Sequence, residues 1–236
     1  MSDLFEAGGL QEDAPRPLAD RLRPQTLADV VGQDHLLGPT GPIGRMVAED
    51  RPHSIILWGP PGTGKTTIAR LLSRAFRLHF EQLSAVFSGV ADLKKAFEAA
   101  RQRRRTGHGT LLFVDEIHRF NRSQQDSFLP VVEDGTVVLV GATTENPSFE
   151  LNGALLSRAQ VLVLRRLDDA ALEILLRRAE TFYAKPLPLT NQARESLRAM
   201  ADGDGRYLLN LAEELAGLAP AAPLDTAALT AAVQKR

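Results

Sequence analysis

Cysteine is missing from all 236 residues, which removes disulfides, thiolate metal sites and cysteine nucleophiles together. That suits a reducing compartment. No uninterrupted apolar run approaches the roughly 18 residues that a membrane span requires. Nor does the acidic opening MSDLFEAGG carry the basic-then-apolar pattern of a secretory signal. A cytoplasmic, nucleoid-associated protein with no membrane partner is expected. Charge of one sign is lacking too: 28 basic and 29 acidic residues leave a net charge of −1, so any attraction to nucleic acid has to come from a local patch. The five histidines are scattered, without metal-ligand spacing, and only five of the basic residues are lysines. Neither internal repeats nor low-complexity segments occur. What is present, 44% apolar and 24% charged residues, is the composition of a globular chain of one or two domains.

The order of apolar runs predicts the architecture. Residues 1–20 are rich in Gly, Pro and acid and read as a flexible N-terminal tail. SIILW (54–58), HFEQLSAV (79–86), TLLFVDE (110–116), TVVLVGATT (136–144) and QVLVLR (160–165) read as five strands. Between them, helical spacing joins Ile68, Leu71, Leu72, Ala75 and Phe76, and again Leu93, Ala96, Phe97 and Ala100 within residues 90–105. Residues 124–133 read as a helix that Pro130 kinks or ends early. Alternating strands and helices predict a doubly wound α/β parallel sheet over residues 21–166, with ligands at the carboxyl ends of its strands. After Arg166 the strand signal stops. Asp168 and Asp169 are placed to cap a helix carrying Leu172, Leu175, Leu176 and Ala179, and three more helices are expected within residues 190–235. Residues 167–236 are therefore expected to form a small α-helical lid domain.

Chemistry enters at the strand tips. GPPGTGKT (Gly59, Pro60, Pro61, Gly62, Thr63, Gly64, Lys65, Thr66) follows a strand and opens a helix that continues with Thr67, the context of a Walker A phosphate loop. Its glycines let backbone N–H groups curl round phosphates at a helix N-terminus. Lys65 is placed on the β/γ oxygens and Thr66 on Mg²⁺, so ATP and Mg²⁺ are the expected cofactors. LLFVDE (111–116) has the Walker B form, with Asp115 as the second metal-binding residue and Glu116 polarising the attacking water. A polar tip at GATTEN (141–146) puts Thr144 opposite Lys65, with Thr143 and Asn146 competing for the same role.

Five segments together resemble one family: RPQTLADVVGQDHLLG (23–38), GPPGTGKTTIA, VDEIHRFNRSQQDSFLPVVEDG (114–135), GATTENPSFELNGALLSRAQV (141–161) and GDGRYLLNLAEEL (203–215). They are similar to the replication-associated recombination protein A family, AAA+ P-loop ATPases related to clamp loaders and to the Holliday-junction motor RuvB. The resemblance implies that Arg23, Val30, Val31 and Gly32 pack on adenine. It makes Arg158 an arginine finger acting in trans, hence self-association, and Arg206 a sensor arginine reaching from the lid to the γ-phosphate. It also implies a DNA-dependent ATPase acting in replication-fork maintenance, recombination and repair. Members continue past the lid into a tetramer-forming helical region that residues to Arg236 do not include, so a fragment or a short member is expected.

The partners expected on the same grounds are DNA forks, gaps or duplex ends, and a sliding clamp or single-strand-binding protein. Residues 2–5, SDLF, resemble the end of a short clamp-binding motif on a loose terminus. Lys94 and Lys95 are candidates for phosphate contact. Arg101, Arg103, Arg104 and Arg105 are either a second contact or the cations that favour any helix C-terminus. His118, Arg119 and Arg122 follow the Walker B acids closely enough to relay nucleotide state to DNA or to a neighbour.

Overall fold

A computed structural model describes residues 16–233; the expected clamp motif at 2–5 lies outside the described residues. Five parallel strands form one sheet: β1 (Ile55–Trp58), β2 (His79–Ser84), β3 (Thr110–Asp115), β4 (Val138–Thr143) and β5 (Gln160–Val163), in the order β2-β3-β4-β1-β5. β1, β3 and β4 are read as near-continuous apolar runs because both of their faces are covered. Alternation splits their side chains between two cores. Ile55, Leu57, Leu111, Phe113 and Val140 pack on one side with Ile68 and Leu72 of the helix Lys65–Ala75. Ile56, Leu112, Val114 and Leu139 pack on the other with Leu93 and Phe97 of the helix Val90–Arg105, and with Phe128. The parallel register sets Trp58 beside Thr143 and Ser84 beside Asp115, so the polar strand ends share one edge of the sheet.

Edge strand β5 is closed from outside by side chains. Gln33, fully buried, donates to the Arg165 carbonyl at 2.8 Å and accepts from the Arg165 N–H at 3.1 Å. The His35 Nε2 lies 2.9 Å from the Val163 carbonyl.

The helix expected over 124–133 is two, Arg122–Asp126 and Leu129–Glu133. The break precedes Pro130 instead of falling on it. Proline is tolerated in a first turn, where its missing N–H has no intrahelical partner, so it begins the second segment. Short helices at Asp34–Leu37 and Pro42–Ala48 had no periodic signal long enough to be read.

Four helices form the lid: Asp169–Tyr183, Asn191–Ala201, Gly205–Ala216 and Thr226–Val233. Asp168, Thr190 and Asp204 cap the first three through their side chains. Leu172, Leu176, Leu197, Leu208 and Leu215 make a third core. Leu18 joins it, fully buried within a helix at Leu18–Arg21, and its N–H donates to Glu213 Oε2 at 2.9 Å. Residues 18–20 are therefore not part of a loose tail. Leu18, with Ala19 packed beside it, and a lid carboxylate tie them down, which composition alone does not reveal.

Candidate nucleotide site

The loop from β1 to the helix Lys65–Ala75 is shaped by left-handed glycines, Gly62 at φ 68° and Gly64 at φ 101°. Gly62 has a second constraint. A Cβ there would meet the carboxylate of Asp204, the residue whose Oδ1 caps the lid helix by accepting the Tyr207 N–H at 2.9 Å. Phosphate loop and lid thus touch at a point that admits no side chain.

Lys65 is 9% exposed and donates from Nζ to the carbonyls of Gly59 at 2.6 Å and Pro60 at 2.8 Å. Burial pushes its ammonium below the ordinary lysine range, partly offset by the charges of Glu116 and Asp115. An incompletely compensated cation beside left-handed backbone at a helix N-terminus is suited to an anionic ligand.

The loop opens on a cleft of about 370 Å³ between sheet and lid. Its walls include Pro61, Gly62, Thr63, Gly64, Lys65, Thr66 and Thr67 from the phosphate loop, with Asp115, Glu116 and Thr144 from the tips of β3 and β4. Arg206 contributes from the first turn of a lid helix. Arg23, Val30 and Val31 line the same cleft beside Leu22, Leu175 and Leu209, a largely apolar end suited to a base. Arg23 is held there by Asp20 at 2.7 Å and lies 3.4 Å from the Thr67 hydroxyl.

Three expected residues line no part of it. Gly59 and Pro60 act through carbonyls turned to Lys65. Gly32, at φ 75°, lies where a Cβ would come within 2.7 Å of Leu167 Cδ2, so it serves the closeness of the lid and not the base-binding surface.

Glu116 takes a left-handed backbone conformation, φ 51° and ψ 46°, which is costly for a residue with a side chain and is concentrated at functional sites. Its Oε2 lies 3.4 Å from the Thr144 hydroxyl and 3.2 Å from Nδ1 of His118. The rivals of Thr144 are otherwise engaged. Thr143, fully buried, donates to the Glu145 carbonyl at 3.1 Å and meets His118 Nδ1 at 2.9 Å. Asn146 caps Pro147–Glu150 by accepting the Ser148 N–H.

Arg158 stands outside the cleft, bound to Glu133 and donating to the Ala154 carbonyl at 2.8 Å. Its guanidinium therefore takes no part in this cleft. His118 was expected as a relay, but its contact with Glu116 was not. That Asp204 touches the phosphate loop, and that Arg178 and Asn210 line the cleft, left no mark in the sequence.

The donor set fits a nucleotide with magnesium. Among the described residues no group of three His, Asp or Glu side chains could hold a metal alone. Thr66 and Asp115 line one cleft with the phosphate loop. Magnesium commonly binds through one or two protein ligands plus waters and substrate phosphates.

Residues 55–167 match the model of the ATPase family associated with various cellular activities (AAA). Replication-associated recombination protein A of Escherichia coli K12 is 48% identical over 209 residues, covering 86% of this chain and 47% of that protein. ATPase WRNIP1 of Dictyostelium discoideum is 43% identical over 201 residues, covering 83% of this chain and 23% of its own length. The chain thus spans about half, or less, of these relatives. The RuvB Holliday junction branch migration motor of Thermotoga maritima shares the fold, with a TM-score of 0.72 at 24% identity, covering 90% of this chain and 72% of that one.

Proposed function

This chain belongs to the AAA ATPases, in the family of replication-associated recombination protein A, and from that footing we propose that it hydrolyses Mg-ATP between subunits to act on DNA in fork maintenance, recombination and repair. The observation that carries the reading is convergence. Lys65, Thr66, Asp115, Glu116, Thr144 and Arg206 come from four separate stretches of sequence and line one cleft.

In this reading the phosphate-loop N–H groups and Lys65 hold the phosphates, and Val30, Val31 and Leu209 enclose the base. Bound magnesium supplies charge neutralisation at the phosphate oxygens, held by Thr66 and Asp115. Glu116 polarises the attacking water, Thr144 orients it and Arg206 steadies the γ-phosphate from the lid. Arg158 completes a neighbouring subunit's site, where fingers of this kind are worth about 10³–10⁵ in rate. Its release from Glu133 accompanies docking.

DNA is assigned to the face of Val90–Arg105. A groove there of about 540 Å³ is lined by Lys94, Arg101 and Arg105 with Phe97 and Ser123. Arg103 and Arg104 are committed to Glu81 and Asp134, which narrows the basic run to Arg101 and Arg105.

Two measurements test the proposal. ATP turnover should rise with forked or gapped DNA, and Lys94→Glu with Arg101→Glu should abolish the rise without changing the basal rate. Mixing Lys65→Ala with Arg158→Ala subunits should restore turnover that neither variant has alone. No recovery at any ratio in mixed assemblies rules out the shared site.

A further inference from the structure

We infer that His118 is the positioning residue of the ATPase centre, fixing the Glu116 carboxylate through Oε2 so that Oε1 is the oxygen left to face the attacking water. The inference rests on the proposed role of Glu116 and deepens it.

The side chain of His118 is 6% exposed, and its Nδ1 stands 3.2 Å from Glu116 Oε2 and 2.9 Å from Thr143 Oγ1. An ionised carboxylate only accepts hydrogen bonds, so a bonding contact with it requires the proton on Nδ1. The surroundings of Thr143 agree. Its hydroxyl donates to the Glu145 carbonyl and accepts from the Glu145 N–H at 3.0 Å, leaving an acceptor site for His118. Both partners therefore ask for the same Nδ1–H tautomer. The Thr144 hydroxyl approaches the same oxygen, Oε2, at 3.4 Å. Two donors converge on one carboxylate oxygen, and Oε1 has no partner among them.

The chain of contacts continues to the phosphate loop. Thr143 accepts the Gly59 N–H through its carbonyl at 3.1 Å, at the point where β1 enters the loop. Glu116 needs such bracing, since its left-handed backbone places the side chain at the end of a strained turn.

The test separates positioning from packing. His118→Leu should lower kcat by about 10- to 100-fold, the cost of a misplaced catalytic group, with KM and the affinity for a non-hydrolysable ATP analogue unchanged. His118→Asn, whose amide N–H replaces Nδ1–H, should recover most of the rate. On a Glu116→Gln background, His118→Leu should cost nothing further. In the unliganded wild type, imidazole nitrogen shifts should place the proton on Nδ1. A proton on Nε2, an asparagine variant as slow as the leucine one, or a KM effect without a kcat effect would overturn the inference. If Glu116→Gln itself turns over at the wild-type rate, the role of Glu116 fails instead.

Discussion

The sheet buries one cation and the lid partly buries another, and they do so in opposite ways. Lys65 lies at the sheet tip with backbone carbonyls as its hydrogen-bond partners and carboxylates only at a distance, so burial dominates and lowers its proton affinity. Arg194 in the lid is gripped by two carboxylates, Glu180 at 2.6 Å and Glu173 at 3.0 Å, and its proton is held more tightly than usual, chiefly through the Glu180 hydrogen bond. Arg198 adds a third arm at 2.7 Å from Glu173. A charge satisfied inside the fold is structure, and a charge left short of counter-charge is held ready for something else. Lid arginines divide in the same way: Arg194 and Arg198 face inward, while Arg206 faces the cleft.

Four substitutions break or sharpen that contrast. Glu116→Gln removes the acid at the sheet tip and should cut turnover by about 10²–10⁴-fold, measured by phosphate release, with nucleotide still bound. Arg206→Ala removes a lid cation from the cleft, and the loss of a charge-assisted bond should cost about 10- to 100-fold in kcat/KM with the melting temperature unchanged.

Arg194→Ala should do the reverse, leaving turnover at low temperature intact and destabilising the fold by about 1–2 kcal/mol in urea titration, a buried-pair penalty discounted for partial exposure. It should also alter acid sensitivity. Glu173 sits below its ordinary value of 4.5, mainly through its hydrogen bond with Arg194. A carboxylate so depressed stabilises the fold above that value and loses the contribution as pH falls through its folded pKa. The variant should lose less stability than the wild type on acidification below 4.5. The smallest effect on stability is expected for Lys65→Met. Relieving a buried charge should raise stability near neutral pH by about 0.5–1 kcal/mol, read by thermal melting, while nucleotide binding is lost.

The strands and the phosphate loop were legible in sequence because each is a local pattern. A buried parallel strand needs an unbroken apolar run, and a phosphate loop needs glycine and lysine at fixed intervals. Asp168 could be read as a cap for the same reason. What failed to show was tertiary. Choosing Thr144 over Thr143 required knowing that His118 and Glu145 already engage Thr143. Gly32 stands in a stretch that otherwise lines the cleft, and only the position of Leu167 explains it. Leu18 reads as one apolar residue among prolines and acids until the lid core is seen closing over it. Within one arginine run, Arg103 and Arg104 are engaged while Arg101 and Arg105 line a groove, a distinction that depends on Glu81 and Asp134 from elsewhere.

The Gln33 side chain mimics a strand residue, offering one donor and one acceptor to Arg165, and His35 occupies the next outward carbonyl. A strand from another molecule would have to displace both before it could hydrogen-bond there. The β5 border of the sheet is therefore sealed over these residues against growth by recruitment. Along that border one sheet cannot be knitted to another into a single ribbon.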